Sequence, residues 1–508
     1  MCGFVCLWRV GDERLAGRMI ERISHRGPDA TEVIGLEGGD VTMAHCRLAI
    51  IGPEDGRQPI YHGRDILVAN GEIYNHADLR AILGDASFET ASDSETILHL
   101  FRSGALRWID RLDGMFAFVL ATRERVIAAR DPLGIKPLYM ARVGDGLVFA
   151  SELKAFDGAG LSTIEAIPPG TLFDSRDGWR QWYRTPHGAA EAEPGLDLER
   201  TARELRLVLE EAVAKWSVAD VEVGAFLSGG LDSSIIAAMA AAQRRAAGKG
   251  PLKTFSVGAE GSPDLAAARR VAEHIGSDHH ERVFTDADVA EALPHVVYHL
   301  ESADVDLVRS AVPTLFAARL ARERVKAVLT GEGADELFAG YAYHHAYVDD
   351  PRALADELTR SLNAMHNINL QRVDRVTMSE SLEARTPFLD RDLIDFAQSI
   401  PAALKLCRTD PAAVESTGAT TEKWILRKAC ADLLPTDLVW RKKAQFDEGS
   451  GAVDALQAAL RRWLGGEGPV GREAEGALYE RLLRGRYADP DLVLAAAGEW
   501  ASEERVAV

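Results

Sequence analysis

The 508-residue sequence predicts two domains of different style. The first is an α+β half of stacked antiparallel sheets; the second is an α/β half on a doubly wound parallel sheet with a helical C-terminal part. Three observations carry this expectation. The chain is too long for a single hydrophobic core. Short apolar runs at 116–121 and 126–130 flank the charged turn Thr122-Arg123-Glu124, with further turns at Asp131-Pro132-Leu133-Gly134 and Val143-Gly144-Asp145-Gly146. Beyond residue 200, strands alternate with helices instead, as parallel pairing requires.

In chain order, the first feature is Cys2, followed by Gly3. Removal of Met1, expected before so small a side chain, leaves a thiol of pKa about 8.5 beside an α-amine of about 7.7–8.0. One residue then holds both a nucleophile and a base. An unselected cysteine near a chain end is the competing reading. Residues 1–185 form the first expected domain. Residues 186–200, rich in Pro, Gly, Ala and Glu, read as a linker, and 201–508 as the second domain. A helix is expected over 201–215, where Leu205, Val208, Leu209 and Val213 fall at helical spacing. Strands follow at 221–227, 252–257 and 325–329, with an Ala-rich helix from Ser233. The last third reads as helical, with stops at Pro387, Pro401, Pro435 and Gly449.

Bulk properties exclude several classes. A net charge of −20 opposes a nucleic-acid surface. No apolar run approaches the ~20 residues of a membrane span, and no signal peptide is visible. The cysteines Cys2, Cys6, Cys46, Cys407 and Cys430 are odd in number and form no CxxC pair. They suit a reducing cytoplasm better than a disulfide framework or structural zinc. His295 and His299 have the i, i+4 spacing of a metal pair but no acidic partner motif, and read as a helix surface. The acidic tail 499–508 reads as a solvated helix end.

The sharpest chemical signal is Leu227-Ser228-Gly229-Gly230-Leu231-Asp232-Ser233-Ser234 between a strand and a helix. Its glycines let backbone N–H groups approach an anion, and the helix N-terminus adds partial positive charge. There is no GK[ST], so it is not a Walker A loop. Asp232 would repel a phosphate unless a cation intervenes, which points to a metal-bridged polyphosphate. A helix cap is the plain alternative. A second loop, Thr330-Gly331-Glu332-Gly333-Ala334-Asp335-Glu336, follows another apolar strand and suits a magnesium-nucleotide edge.

Together these residues resemble the glutamine-hydrolysing asparagine synthetases of the bacterial type over nearly the whole chain. In the first half the resemblance rests on Cys2-Gly3, 24–29 (SHRGPD), 47–51 (RLAII), Gln58-Pro59, 70–75 (NGEIYN), 92–95 (SDSE), 113–117 (DGMFA) and 130–139 (RDPLGIKPLY). In the second it rests on both loops, 382–390 (LEARTPFLD) and 441–446 (RKKAQF). It implies an N-terminal-nucleophile αββα glutaminase domain joined to an ATP pyrophosphatase domain.

The resemblance implies residue roles as well. Cys2 would attack the glutamine amide to form a thioester, with Asn70 and Gly71 as the oxyanion hole. Arg47, Leu48, Ala49, Ile50, Ile51, Glu72 and Asp93 would line the glutamine pocket. Leu227, Val257, Thr330 and Gly331 would contact adenine nucleotide, while Ser228, Gly229, Gly230 and Ser233 cradle pyrophosphate. Asp232 and Asp335 would hold Mg²⁺, Glu332 would serve acyl-adenylate chemistry, and Lys443 would neutralise phosphate. Arg309 would hold the acceptor's carboxylate. The implied partners are glutamine, aspartate and ATP, with no nucleic acid and no membrane; a homodimer is left open. Some members have threonines where this chain has Asp306 and Leu307, and Thr330 stands for a commoner serine. An amidotransferase of the same architecture acting on another carboxylate is the rival reading; a β-lactam-forming cyclase is disfavoured by Cys2.

Overall fold

The computed structural model describes residues 2–36, 40–84, 87–191, 195–442 and 449–497. Met1, Lys443, linker residues 192–194 and the tail 499–508 lie outside these. Strand β1 (Cys2–Trp8) is buried along its length. Because side chains alternate along a strand, Phe4, Cys6 and Trp8 enter one core while Val5 and Leu7 enter another. The first core lies between two six-stranded antiparallel sheets. In one, β1 runs between β2 (Val41–Arg47) and the strand Gly146–Ala150. The other contains β3 (Asp65–Ile73) paired with β4 (Gly114–Ala121). Helix α1 (Glu13–Arg22) covers the outer face of the first sheet, and α2 (Glu95–Arg102) that of the second. This gives the expected four layers. Cys2 has the parity of Phe4, so it opens from the end of the intersheet core toward β3.

The second half begins with α3 (Leu198–Trp216), where the Asp197 carboxylate accepts from the Arg200 N–H at 3.1 Å. Leu205, Leu209, Val213 and Trp216 form its buried stripe. Then come β5 (Val223–Phe226), α4 (Leu231–Ala246), β6 (Lys253–Gly258), α5 (Pro263–Ile275) and β7 (Asp278–Val283). After them stand α6 (Asp286–Leu300), α7 (Val305–Arg322), β8 (Ala327–Leu329), α8 (Asn369–Met378), β9 (Glu383–Arg385) and, near the C-terminal end, α9 (Arg472–Arg484). The five strands pair in parallel in the order β7-β6-β5-β8-β9. The chain winds outward from β5 to β7 and then crosses to β8 on the other side. The carboxyl ends of β5 and β8 therefore form a switch-point crevice, where an open parallel sheet binds its ligand. Both glycine loops begin there.

The two halves share one apolar core. Leu48, Ile50, Tyr74, Met115, Leu133 and Ile135 pack continuously with Trp216, Leu227, Phe388 and Leu389. Residues 188 and 189 lie along the second half, with the Gly188 N–H donating to Thr359 Oγ1 at 3.1 Å and the Ala189 N–H to the Gln398 carbonyl at 2.8 Å. Among the described residues no helix is long and apolar enough to cross a membrane.

Candidate active sites

At the first site, β1 and β2 put Cys2 directly opposite Arg47. The Cys2 N–H donates to Asn70 Oδ1 at 3.1 Å. Asn70 is fully buried and its Nδ2 has no partner among the described residues. A buried amide donor without a partner costs about 1–3 kcal/mol, so this group stands ready for an incoming oxyanion. Asn70-Gly71 is not a hairpin turn: it lies inside β3, with Gly71 opposite Phe116. Gly71 has φ 140°, and a Cβ there would overlap the Met115 carbonyl, so only glycine fits. Burial pushes the Cys2 thiol up, opposed by the Leu48 backbone N–H and the Arg47 guanidinium.

Arg47 fastens the loop below the nucleophile, donating to the carbonyls of Pro53 (3.0 Å), Ile51 (3.2 Å) and Gly52 (2.5 Å). Leu48, Ala49 and Ile50 are buried beside it, and Ile51 is half-buried. Asp93 is buried and accepts from the Ile73 N–H at 2.6 Å, next to the β3 segment that carries Asn70. Glu72 reaches across to Arg385 of the second half at 3.5 Å. Burial, then Glu383, raises its carboxyl well above the usual range.

At the second site a cavity of about 480 Å³ fills the switch-point crevice. Leu227, Ser228, Gly230, Asp232, Ser233, Val257, Thr330, Gly331, Glu332 and Asp335 all line it, while Gly229 does not. Gly229 has φ 75°, and a Cβ there would press on the backbone of Asp264 and Ala268, so it sets how closely α5 approaches the loop. Ser233 Oγ receives the Ser228 N–H at 3.1 Å and holds the loop closed.

Lys423, which local sequence patterns do not single out, lies at the centre. It is 1% exposed, and its Nζ lies 2.5 Å from both Asp232 Oδ2 and Asp335 Oδ1. Burial pulls its ammonium down, but the two carboxylates outweigh this and hold it above the usual lysine range. Arg441 donates to the Gly229 carbonyl at 3.1 Å and to Asp264 at 2.8 Å.

The structure places Arg309 away from the cavity lining. Helix α7 presents Asp306, Ser310, Thr314 and Ala317 to the cavity, a single face at 3.6-residue spacing. Arg309 is off that face and absent from the lining. It is held by buried Glu475 of α9 through Nε at 2.9 Å and Nη2 at 2.6 Å. Asp306 is likewise paired with Arg472 of α9, at 2.9 and 2.7 Å.

Between the sites, Arg26 Nε donates to the Cys2 carbonyl at 2.9 Å, while its Nη1 meets Asp374 of α8 at 2.8 Å. Arg375 joins Glu301 at 2.8 Å and the Tyr139 hydroxyl at 3.0 Å. His295 and His299 do not form an exposed helix face. Their rings are 4.4 Å apart, and His299 stacks edge-on to His25 of the first half at 4.5 Å. His295 Nε2 lies 3.1 Å from Ser379 Oγ and 3.4 Å from Glu380, and His25 Nε2 lies 3.2 Å from Glu152. Burial lowers all three, His295 to about 4.

A histidine depressed in the fold binds protons more readily when unfolded, so its stabilisation is present above its unfolded pKa of about 6.5 and is lost as pH falls toward 4. We expect Tm to fall by about 5 °C between pH 6.5 and 4.5, and His295→Gln to flatten that slope. Calorimetry of both proteins over the window checks this; parallel profiles would refute it.

Comparison with known families is consistent with this geometry. A family described as asparagine synthase matches residues 204–356 and 346–505, and one described as a glutamine amidotransferase domain matches 1–166. A glutamine-hydrolyzing asparagine synthetase of Asparagus officinalis is 40% identical over 483 residues, covering 90% of this chain and 79% of its own. The enzyme of that name numbered 3 in Arabidopsis thaliana is 39% identical over 480 residues, covering 90% and 81%.

Proposed function

The chain belongs to the glutamine-hydrolysing asparagine synthetases, and from that premise we propose how its residues divide the work. The enzyme makes L-asparagine from L-aspartate, with glutamine as nitrogen donor and ATP as energy source. We assign residues 1–185 to glutamine hydrolysis, 186–200 to the linker and 201–508 to synthesis. In the first site, the Cys2 thiol attacks the side-chain amide carbon of glutamine, and its own α-amine, once Met1 is removed, takes the thiol proton. Asn70 Nδ2 and the Gly71 N–H receive the oxyanion; one such donor is worth about 10²–10³ in rate. Ammonia leaves, and water releases glutamate from the thioester. Arg47 and Asp93 bring charges that suit the carboxylate and amine of glutamine.

In the second site, the aspartate β-carboxylate attacks the α-phosphorus of ATP, pyrophosphate leaves, and ammonia displaces AMP from the β-aspartyl adenylate. Ser228, Gly230 and Ser233 cradle the departing pyrophosphate, and Lys423 supplies positive charge beside it. Glu332 stands where it can take a proton from the attacking ammonia, and Lys443 is assigned to the phosphates by its motif. Asp232 and Asp335 fit Mg²⁺: both carboxylates converge on the Lys423 ammonium, and Asp232 Oδ1 is buried without a partner among the described residues. When bound, Mg²⁺ would neutralise the phosphate oxygens. Free ammonia is mostly protonated at neutral pH, so direct passage between the sites, without release to bulk water, is favoured. Five free cysteines suit a reducing cytoplasm.

The observation that carries this reading is the meeting of both glycine loops across one switch-point cavity. Pyrophosphate exchange over a panel of carboxylates tests it. Exchange is expected with aspartate, and a parent enzyme showing none would overturn it.

A further inference from the structure

Cys2 stands at the open end of its sheet. Strand β1 meets β2 from Cys2 onward, but on its other side the strand Gly146–Ala150 reaches only Val5–Trp8. On that other side the Phe4 N–H donates to Ser151 Oγ at 3.0 Å, and the Phe4 carbonyl accepts from the Ser151 N–H at 3.1 Å. Two residues earlier the Cys2 carbonyl faces the same way, past the end of the ladder. Arg26 Nε occupies the place of the missing strand and donates to that carbonyl at 2.9 Å. Once Met1 is removed no peptide precedes Cys2, so its backbone is fastened by this bond and by the one from its nitrogen to Asn70 Oδ1.

Arg26 is fully buried, so its direction is set by what grips the other end of its guanidinium. Glu152 of the first half meets Nη1 alone and is shared with Lys154 at 2.5 Å and His25 at 3.2 Å. Asp374 of α8 takes both terminal nitrogens, Nη1 on Oδ2 at 2.8 Å and Nη2 on Oδ1 at 3.2 Å. A two-point grip fixes the guanidinium plane, and the plane fixes where Nε points. Burial opposes ionisation of Asp374, but Arg26 and then Lys136 hold its carboxyl below the usual range. Helix α8 turns Asn369, Arg372 and Val373 to the synthetic cavity and Asp374 to the first half. We propose that Asp374, a residue of the second half, is a positioning residue of the first site: by gripping Arg26 it fixes the Cys2 backbone, and with it the thiol, against Asn70 and Gly71. Misplacing a nucleophile by about 1 Å costs about 10² in rate, so the effect falls on turnover and spares glutamine binding.

This assignment rests on the glutaminase reading of the first half, and the test separates the two. Glutamine hydrolysis and ammonia-dependent asparagine synthesis are measured on the full chain for the parent, Asp374→Asn, Asp374→Glu, Arg26→Lys and the double variant Arg26→Lys with Asp374→Asn. Asp374→Asn keeps the shape and leaves Arg26 its Glu152 partner, but removes the charged two-point grip. Its kcat for glutamine hydrolysis is expected to fall about 30-fold, with KM for glutamine and ammonia-dependent synthesis within about 3-fold. Asp374→Glu, which restores the carboxylate, should recover part of the loss, a result that a packing role would not give. In the Arg26→Lys background, Asp374→Asn should cost no more than about 3-fold further, because the grip is already gone. An unchanged kcat in Asp374→Asn, equal loss of hydrolysis and ammonia-dependent synthesis, or fully multiplicative losses in the double variant would each overturn the assignment. If Asp374→Asn fails to fold, a folded Arg26→Lys with unaltered kcat overturns it as well. A parent that does not hydrolyse glutamine removes the glutaminase reading, and this assignment with it.

Discussion

Replacing Cys2 with alanine is expected to reduce glutamine-dependent asparagine formation more than ~10³-fold while ammonia-dependent formation stays within about twofold. The neighbouring thiol, Cys46, is fully buried and donates to the Ile23 carbonyl at 3.3 Å, so it does not stand in for the nucleophile. Losing one sulfur at the end of the intersheet core leaves a small void, so the fold should hold. The assay supplies ATP, Mg²⁺ and aspartate with either glutamine or ammonium at alkaline pH. Equal loss with both nitrogen donors would contradict two separate sites. The same comparison applies to a chain that keeps Met1, because the α-amine of Cys2 is then tied up in a peptide bond.

The second large effect is expected from Lys423→Met. Synthesis should fall at least ~10²-fold with either nitrogen donor, since the ammonium that faces Asp232, Asp335 and the pyrophosphate loop is gone. Breaking a buried ion pair also destabilises by about 3–5 kcal/mol, because two carboxylates remain without their shared cation. Glutaminase activity is the internal control for folding, as Cys2 and Asn70 lie in the other half. Retained synthesis would show that Lys423 serves only to hold Asp232 and Asp335 in place. Loss of both activities would trace the defect to folding instead.

Much of this was legible in the sequence because it is local. The strand β5, its glycine loop and α4 lie within about two dozen consecutive residues, and period-two and period-3.6 patterns need only nearest neighbours. The expected strand at 221–227 shortens to Val223–Phe226, and the helix expected over 201–215 extends to Leu198–Trp216, since ladders and caps set the ends. The spacing of His295 and His299 reads as a surface because α6 carries apolar and polar residues on neighbouring faces. Which of those faces is covered depends on His25, about 270 residues earlier.

Taken alone, the sequence determined the two chemistries: a cysteine that can become an amino-terminal nucleophile, and a strand–glycine–helix loop that can take polyphosphate. Both follow from covalent chemistry and short-range backbone geometry. Only the tertiary structure decided which charges serve them. Arg309 and Arg372 are both arginines on helices, and nothing in their neighbours distinguishes them; Glu475 of α9 engages the first, while α8 turns the second into the cavity. Lys423 meets Asp232 across 191 residues of chain. The physical reason is that a buried charge takes the partner that packing brings within about 3 Å, and packing is a property of the whole chain.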